Sequence, residues 1–294
     1  MSQEFTTYRS VFDKKEYIKQ GYIITYDNLD SVDDLPELST LERQDIYHAR
    51  TGDLSSDYIV PVDTDGSGSF DAWYSLVDGE EIIAIPQSAI TRNSDHIWPF
   101  AEGSGDALED TEGDKDGNRN SPDWVVDDGG VQDAYLNFGS DDIVDQIGRV
   151  FDGDASSGFT VTAWVRGGSN EGYIWTQDAA DRLLTWINDS GELDFDSGGG
   201  RPTTTNYPDN DWFLMTAVGS DSDGEARLYV DDNLESTDSG GPASDADNPF
   251  YIGNRDGTDR PLGGDIDFVT VALDFEAELS DVQDHYNATK DRYE

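Results

Sequence analysis

The run GGDIDFVTVALDF, Gly263 to Phe275, leaves this chain few folds to choose from. Ile266, Phe268 and Thr270 fall on one side of a two-residue period and Asp267, Val269 and Val271 on the other, the spacing of a strand in a sheet. Far upstream, HIWPFAEGSG, His96 to Gly105, carries an apolar Trp98, Pro99, Phe100 run that stops on Glu102 and two glycines, a strand breaking into a turn. These two runs read as opening and closing strands. Between them FTVTAWV alternates Val161, Ala163 and Val165 with Thr160, Thr162 and Trp164, and ARLYVDD sets Leu228 and Val230 against Arg227 and Tyr229 after a turn at Asp223 and Gly224. That cadence predicts an all-β sandwich that buries the inner face of each sheet against its partner. LSDVQDHYNATKDRY then predicts a short closing helix, with Ser280 as N-cap, Gln283 three residues on, and Val282 and Tyr286 turned toward the sandwich.

Charge bounds the function. Asp and Glu number 64 against 18 Lys and Arg, a formal net charge of -46 in 294 residues. Such a surface repels itself in dilute buffer, whereas molar salt shortens the screening length to about 3 Å and largely removes the repulsion. With 11% aromatic residues and regular apolar alternation the chain is not of disordered type, so the expectation is a folded protein that requires salt, as an extreme halophile makes. No basic patch is available for phosphates, which argues against a nucleic-acid partner. There is no cysteine, hence no disulfide framework and no thiolate metal site. Nowhere do eighteen apolar residues run together, and MSQEFTTYRSVFDKKEYIKQ has no apolar core segment; the expectation is no membrane insertion and no ordinary secretory signal.

Residues 1–93 have a different texture and predict a small β-rich docking or assembly domain. Val11 to Gln20 suits a short helix or an edge strand. Gly21–Asp27, Asp45–Arg50, Asp57–Val62, Phe70–Val77 and Glu80–Pro86 read as strands, the last two forming a hairpin around Asp78 and Gly79. VDTDGSGSFD, with Asp63, Asp65, Gly66 and Asp71, has the look of a calcium loop. Aligned on an EF-hand it places Pro61 and Ala72 where carboxylates are needed, so it reads as a solvated turn.

The second part, 94–294, carries an ordered series: HIWPFAEGSGDALEDTEGDKDGNRNSPDW, YLNFGSDDIV, GFTVTAWVRG, DWFLMTAVGSDSDGEARLYVDDNLES and NPFYIGNRDGTDRPLGGDIDFVTVALDFEAELSDVQDHY. In that order and spacing it resembles the laminin G-like, or concanavalin A-like, jelly-roll domain. The resemblance implies a two-sheet antiparallel sandwich that binds glycans, proteins or lipids, often with calcium, and only in a minority of relatives cleaves glycans.

What it implies for calcium is a site at Glu102, Asp110 and Asp267, completed by backbone carbonyls or Asp116. For catalysis, GELDFDS places Glu192, Asp194 and Asp196 on one face of a strand, as laminarinase-like relatives do. Alternate carboxylates there lie about 6.5 to 7 Å apart, near the separation of glycosidase pairs. The Glu that ends the motif of those enzymes is missing, so the expectation is an acidic solvent face and no enzyme. Ligand recognition falls to aromatic residues between the strand motifs: Tyr173, Trp175, Trp186, Tyr207 and Trp212. Of these Trp175, Trp186 and Tyr207 are expected at the surface as the ligand-binding set, and Trp164 and Trp212 in the core. His48, His96 and His285 are scattered, with no nucleophile placed beside one. The sequons at Asn188 and Asn287 read as chance.

Binding rather than turnover is therefore expected. A laminin G-like domain working outside the cell, on a chain read as lacking a secretion signal, fits a virion surface protein of a haloarchaeal virus. It would be a capsid turret or spike, a decoration protein or a tail fibre, made in the host cytoplasm and released by lysis. Its expected partners are capsid or tail proteins of the same particle, a host cell-surface glycan or glycoprotein, and copies of itself in a homo-oligomer. The alternatives are a purely structural capsid or tail decoration protein, and an extracellular glycan-binding protein or glycoside hydrolase of a halophilic archaeon.

Overall fold

The computed structural model describes residues 88–126, 134–139, 142–151, 158–168, 171–178, 182–208, 210–242, 248–255, 260–290 and 293, and before them five short strands. The chain divides into two compact units, Met1–Ile85 and Pro86–Glu294. Strands are numbered in chain order. In the first unit β1 (Asn28–Leu29), β2 (Tyr47–Ala49), β3 (Tyr58–Val62), β4 (Ala72–Ser75) and β5 (Glu81–Ile82) form one sheet in that order. The first pair is parallel and the others antiparallel. Four of the expected strands each contain one of these. Val11–Gln20, Gly21–Asp27, the Asp78–Gly79 turn and the acidic loop from Asp63 to Asp71 lie outside the described residues.

The second unit is the antiparallel sandwich that the strand cadence predicts. One sheet runs β19 (Asn233–Ser239), β18 (Glu225–Val230), β17 (Trp212–Ser220), β12 (Phe159–Gly167), β21 (Gly264–Leu273), β10 (Ala134–Asn137), β9 (Asp123–Val126). The opening strand, β6 (His96–Trp98), pairs with the closing strand β21, Trp98 opposite Val269. The other sheet runs β16 (Thr203–Thr204), β15 (Leu193–Asp196), β14 (Arg182–Ile187), β13 (Gly172–Asp178), β20 (Tyr251–Ile252), β11 (Ile143–Asp145), β8 (Gly117–Asn120), β7 (Ala107–Leu108). Val161, Ala163, Val165, Leu228 and Val230 enter the common core, where Trp98, Trp175, Phe151, Phe159, Phe195 and Phe250 pack ring against ring. Each such side chain contributes roughly 1.5–3 kcal/mol by leaving water.

Two bulges decide which residues face out. In β21, Thr270 pairs with Thr162 and Asp267 with Trp164, so Phe268 and Val269 together oppose Ala163. Phe268 takes a φ of 47°, which costs a non-glycine residue of order 1 kcal/mol. The extra residue corrects the expected alternation: Ile266, Val269 and Val271 all enter the core, while Phe268 stacks on His285 outside it. In β13, Tyr173 pairs with Trp186 and Trp175 with Thr185, leaving Ile174 as the additional residue. Ile174 and Trp175 thus both point inward, and Tyr173 outward.

Two helices close one side. α1 (Ala89–Arg92) starts at a capping box between Ser88 and Thr91, and α2 (Leu279–Thr289) is the expected final helix. Its N-cap is Glu278, two residues before the expected Ser280, with the Asp281 carboxylate accepting from the Glu278 amide at 2.9 Å. Ile90 packs with Ala277, Val282, Val218 and Tyr229. Residues 86–93, assigned by sequence to the N-terminal domain, are thereby part of the sandwich unit.

Candidate functional site

Register places Tyr173 (β13), Trp186 (β14), Asp194 (β15) and Thr203 (β16) in one row across the outer face of the second sheet. Adjacent strands lie about 4.8 Å apart, so Tyr173 and Asp194 are separated by about 10 Å. Tyr173, Leu184 and Trp186 form an apolar cluster of their own on this face, apart from the core. The Tyr173 and Trp186 rings are 6.0 Å apart and 23° from parallel.

Over Trp186 lies Arg201, its guanidinium 4.5 Å from the ring centroid and 2.5 Å from Asp194 Oδ2. The glycine run delivers it. Ser197 and Gly200 close a tight turn, and a Cβ on Gly200 would sit 2.9 Å from the Gly240 carbonyl, so only glycine lets the two chains touch. The Arg201 amide then donates to Asp238 at 2.9 Å. Asn188, at the end of β14, donates through Nδ2 to Glu192 (2.9 Å) and Asp194 (3.1 Å), while its Oδ1 accepts from the amides of Ser190 and Glu192. Asp194 is fully buried, yet its second oxygen, Oδ1, has no donor among the described residues. A buried acceptor left without a partner costs roughly 1–3 kcal/mol. The row therefore pairs a flat aromatic surface with an acceptor that demands a donor.

Of the three expected ligand-binding residues, only Trp186 lies in this row. Trp175 is corrected outright: the β13 bulge turns it into the core, where it is fully buried and stacked at 5.6 Å on Phe250. Tyr207 is half-buried at the rim, tilted against Phe213, its hydroxyl donating to the Gly191 carbonyl at 3.1 Å; it props the turn that carries Asn188. Trp164 is buried as expected, but Trp212 is half-buried on the outer face of the first sheet, beneath Arg166 (4.8 Å) and beside Tyr135 and Tyr293 (5.2 Å each). Arg166 is spent there on Asp265 and the Tyr135 hydroxyl, so that aromatic group is a closed structural clamp. Asn188, whose sequon reads as chance, donates its amide to two carboxylates and is an internal strut. Arg201 lies outside the aromatic and carboxylate motifs, and the sequence signal that marks it is an arginine behind three glycines in so acidic a chain.

Protein donors engage each of the three carboxylates expected to bind calcium. Asp110 is filled by four donors, His96 Nδ1 (2.6 Å) and the amides of Ile97, Gly113 and Lys115 (3.0 Å each). Burial pushes its carboxyl up, but His96 and those amides outweigh burial and hold it below the usual range. Asp267 accepts from the Phe268 amide (2.7 Å) and the Tyr293 hydroxyl (2.8 Å). Glu102 takes the Glu109 amide at 2.5 Å, its other oxygen is buried with no donor among the described residues, and burial, with Glu109 and Asp116 adding negative charge, pushes its carboxyl up. Asp116 accepts from the Asp110 amide. Among the described residues no three His, Asp or Glu side chains are grouped to hold a metal.

His96 and His285 are structural too. His96 is held by Asp110, and His285 is fully buried between Ser88 Oγ (2.9 Å) and Thr162 Oγ1 (3.3 Å), its pKa pushed by burial down to about 3.

Residues 130–274 match the family described as the concanavalin A-like lectin/glucanases superfamily, a laminin G type. No curated protein matches the chain in sequence. Among solved structures, domain 4 of AbnA, a GH43 extracellular arabinanase from Geobacillus stearothermophilus in complex with arabinotriose, aligns with a TM-score of 0.50 and 14% identity, over 66% of this chain and 98% of that domain. The botulinum neurotoxin type G receptor-binding domain aligns at 0.45 and 16% identity, over 66% of this chain and 51% of that one. Trypanosoma rangeli sialidase aligns at 0.49 and 12% identity, over 83% and 44%.

Proposed function

Because residues 130–274 match the concanavalin A-like lectin/glucanases superfamily, we propose that the protein binds carbohydrate on the outer face of the second sheet, centred on Trp186. The observation that carries this is the unpartnered, fully buried Asp194 Oδ1 beside the Trp186 ring. A pyranose offers an apolar C–H face for the ring and hydroxyl donors for the carboxylate. Trp186 is only 6% exposed because Arg201, itself half exposed, lies where the sugar would stack. Binding thus requires the guanidinium to swing off the ring.

The site binds without cleaving. Glu192 and Asp194 both accept from the Asn188 amide, which stays in place when Arg201 swings away, so neither is presented as a free acid or base. Retention on immobilised polysaccharides in molar KCl, with reducing ends assayed in the eluate, tests both halves. The expected result is retention without release of reducing ends. Release that Glu192→Gln abolishes would make the protein a glycosidase, and retention on no polysaccharide would remove the binding reading.

For the setting, we propose the surface of a haloarchaeal virus particle, with the glycan on the host cell and with capsid or tail proteins and further copies of the chain as neighbours. The charge of -46 supports a molar-salt environment. Stoichiometric presence in purified virions is the expected outcome; absence from them, with presence in culture medium of uninfected cells, contradicts it.

A further inference from the structure

The row on the second sheet has two unlike ends. At one, Asp194 offers an acceptor. At the other, Arg255 and Arg260 lie 5.8 and 5.9 Å from the Tyr173 centroid, and their Nη1 atoms reach its hydroxyl at 3.5 and 3.2 Å. In a chain with 64 acidic and 18 basic residues, three guanidinium groups thus meet one pair of stacked rings. Arg201 has a close carboxylate partner in Asp194. Among the described residues the carboxylate that Arg260 meets is Glu171 at 3.8 Å, both side chains well exposed.

Resting on the carbohydrate reading, we propose that the sugar carries an acidic substituent, a carboxylate or a sulfate, held by Arg255 and Arg260 at the Tyr173 end of the row. The Tyr173 hydroxyl accepts from both arginines, so its own proton is available to a third partner, and three donors converge on one place. A planar guanidinium meets a carboxylate or sulfate through paired N–H bonds, which act at contact and therefore survive where salt has screened longer-range attraction. The spacing suits it: Trp186 lies 6.0 Å from Tyr173 and one strand from Asp194, so a sugar over Trp186 meets cations toward one end and a hydroxyl acceptor toward the other. The asymmetry fixes the direction in which the sugar lies.

Calorimetric titration in molar KCl tests this with three oligosaccharides of equal length: an oligouronate, its carboxyl-reduced neutral form and a sulfated neutral chain. The proteins are the wild type, the Arg255→Gln/Arg260→Gln pair, Arg260→Lys and Trp186→Ala. We expect the wild type to bind at least one acidic ligand about tenfold or more tighter than the neutral form, the uronate and sulfate arms telling which group is read. The double glutamine variant should lose that preference while keeping its affinity for the neutral chain, and Arg260→Lys, which keeps charge but not the paired N–H bonds, should retain only part of it. Equal affinity of the wild type for neutral and acidic chains, or an undiminished preference in the double variant, overturns the acidic ligand and leaves the carbohydrate site standing if Trp186→Ala still abolishes binding. No binding of any oligosaccharide by the wild type overturns both.

Discussion

Trp175 and Trp186 occupy neighbouring strands and do opposite work. Trp175 fills the core against Phe151, Phe195 and Phe250, so Trp175→Ala leaves a cavity and should cost about 3–5 kcal/mol, read as a lowered denaturant midpoint. Trp186 packs with Tyr173, Leu184 and Arg201 outside the main core, and its loss should be felt in ligand affinity more than in folding. His285 gives the fold an acid limit. Its folded pKa of about 3 lies below the unfolded 6.5, so between those values the unfolded chain binds the extra proton. Stability from this residue is complete above pH 6.5 and falls progressively as pH drops toward 3. His285→Gln should flatten that part of the profile of midpoint against pH; an unchanged slope would show that His285 is not the group responsible.

At the scale of elements, the sequence was legible where alternation is unbroken and illegible where a bulge resets it. β12 and β18 present the faces read from FTVTAWV and ARLYVDD. The bulges at Ile174 and Phe268 leave no compositional mark, since neither is a glycine, and each reverses the faces of the residues beyond it. That is why Trp175 was read as surface. Trp186 keeps the outer-face side because β14 pairs in regular register, but Arg201 covers it and leaves it buried where surface exposure was expected; Arg201 and Asn188 acquire their places through turns and through a contact with Gly240 forty residues on. Asp267 lies on the same reset strand, and it holds the Phe268 amide and the Tyr293 hydroxyl. Asp267→Ala should cost roughly 1–3 kcal/mol, and by the same amount with calcium or with a chelator at fixed ionic strength. A calcium-dependent difference in unfolding temperature would restore the metal site.

For the molecule as a whole, charge and architecture make separate demands. Composition says nothing of the strand order, but it predicts that a chain of net charge -46 is held together only where that charge is screened. The unfolding temperature should climb steeply from dilute buffer to molar KCl, and a flat response would refute salt dependence. The sandwich that results has two aromatic outer faces. The first sheet's is closed on itself, with Arg166 between Tyr135 and Trp212; the second sheet's has an unpartnered carboxylate oxygen. Comparing Trp186→Ala with Trp212→Ala in titrations of a retained oligosaccharide, under molar salt, tests the assignment most directly. The assignment predicts that Trp186→Ala weakens binding by about tenfold or more while Trp212→Ala binds as the wild type does. Loss of binding in Trp212→Ala with Trp186→Ala unaffected would put the site on the other sheet and contradict it.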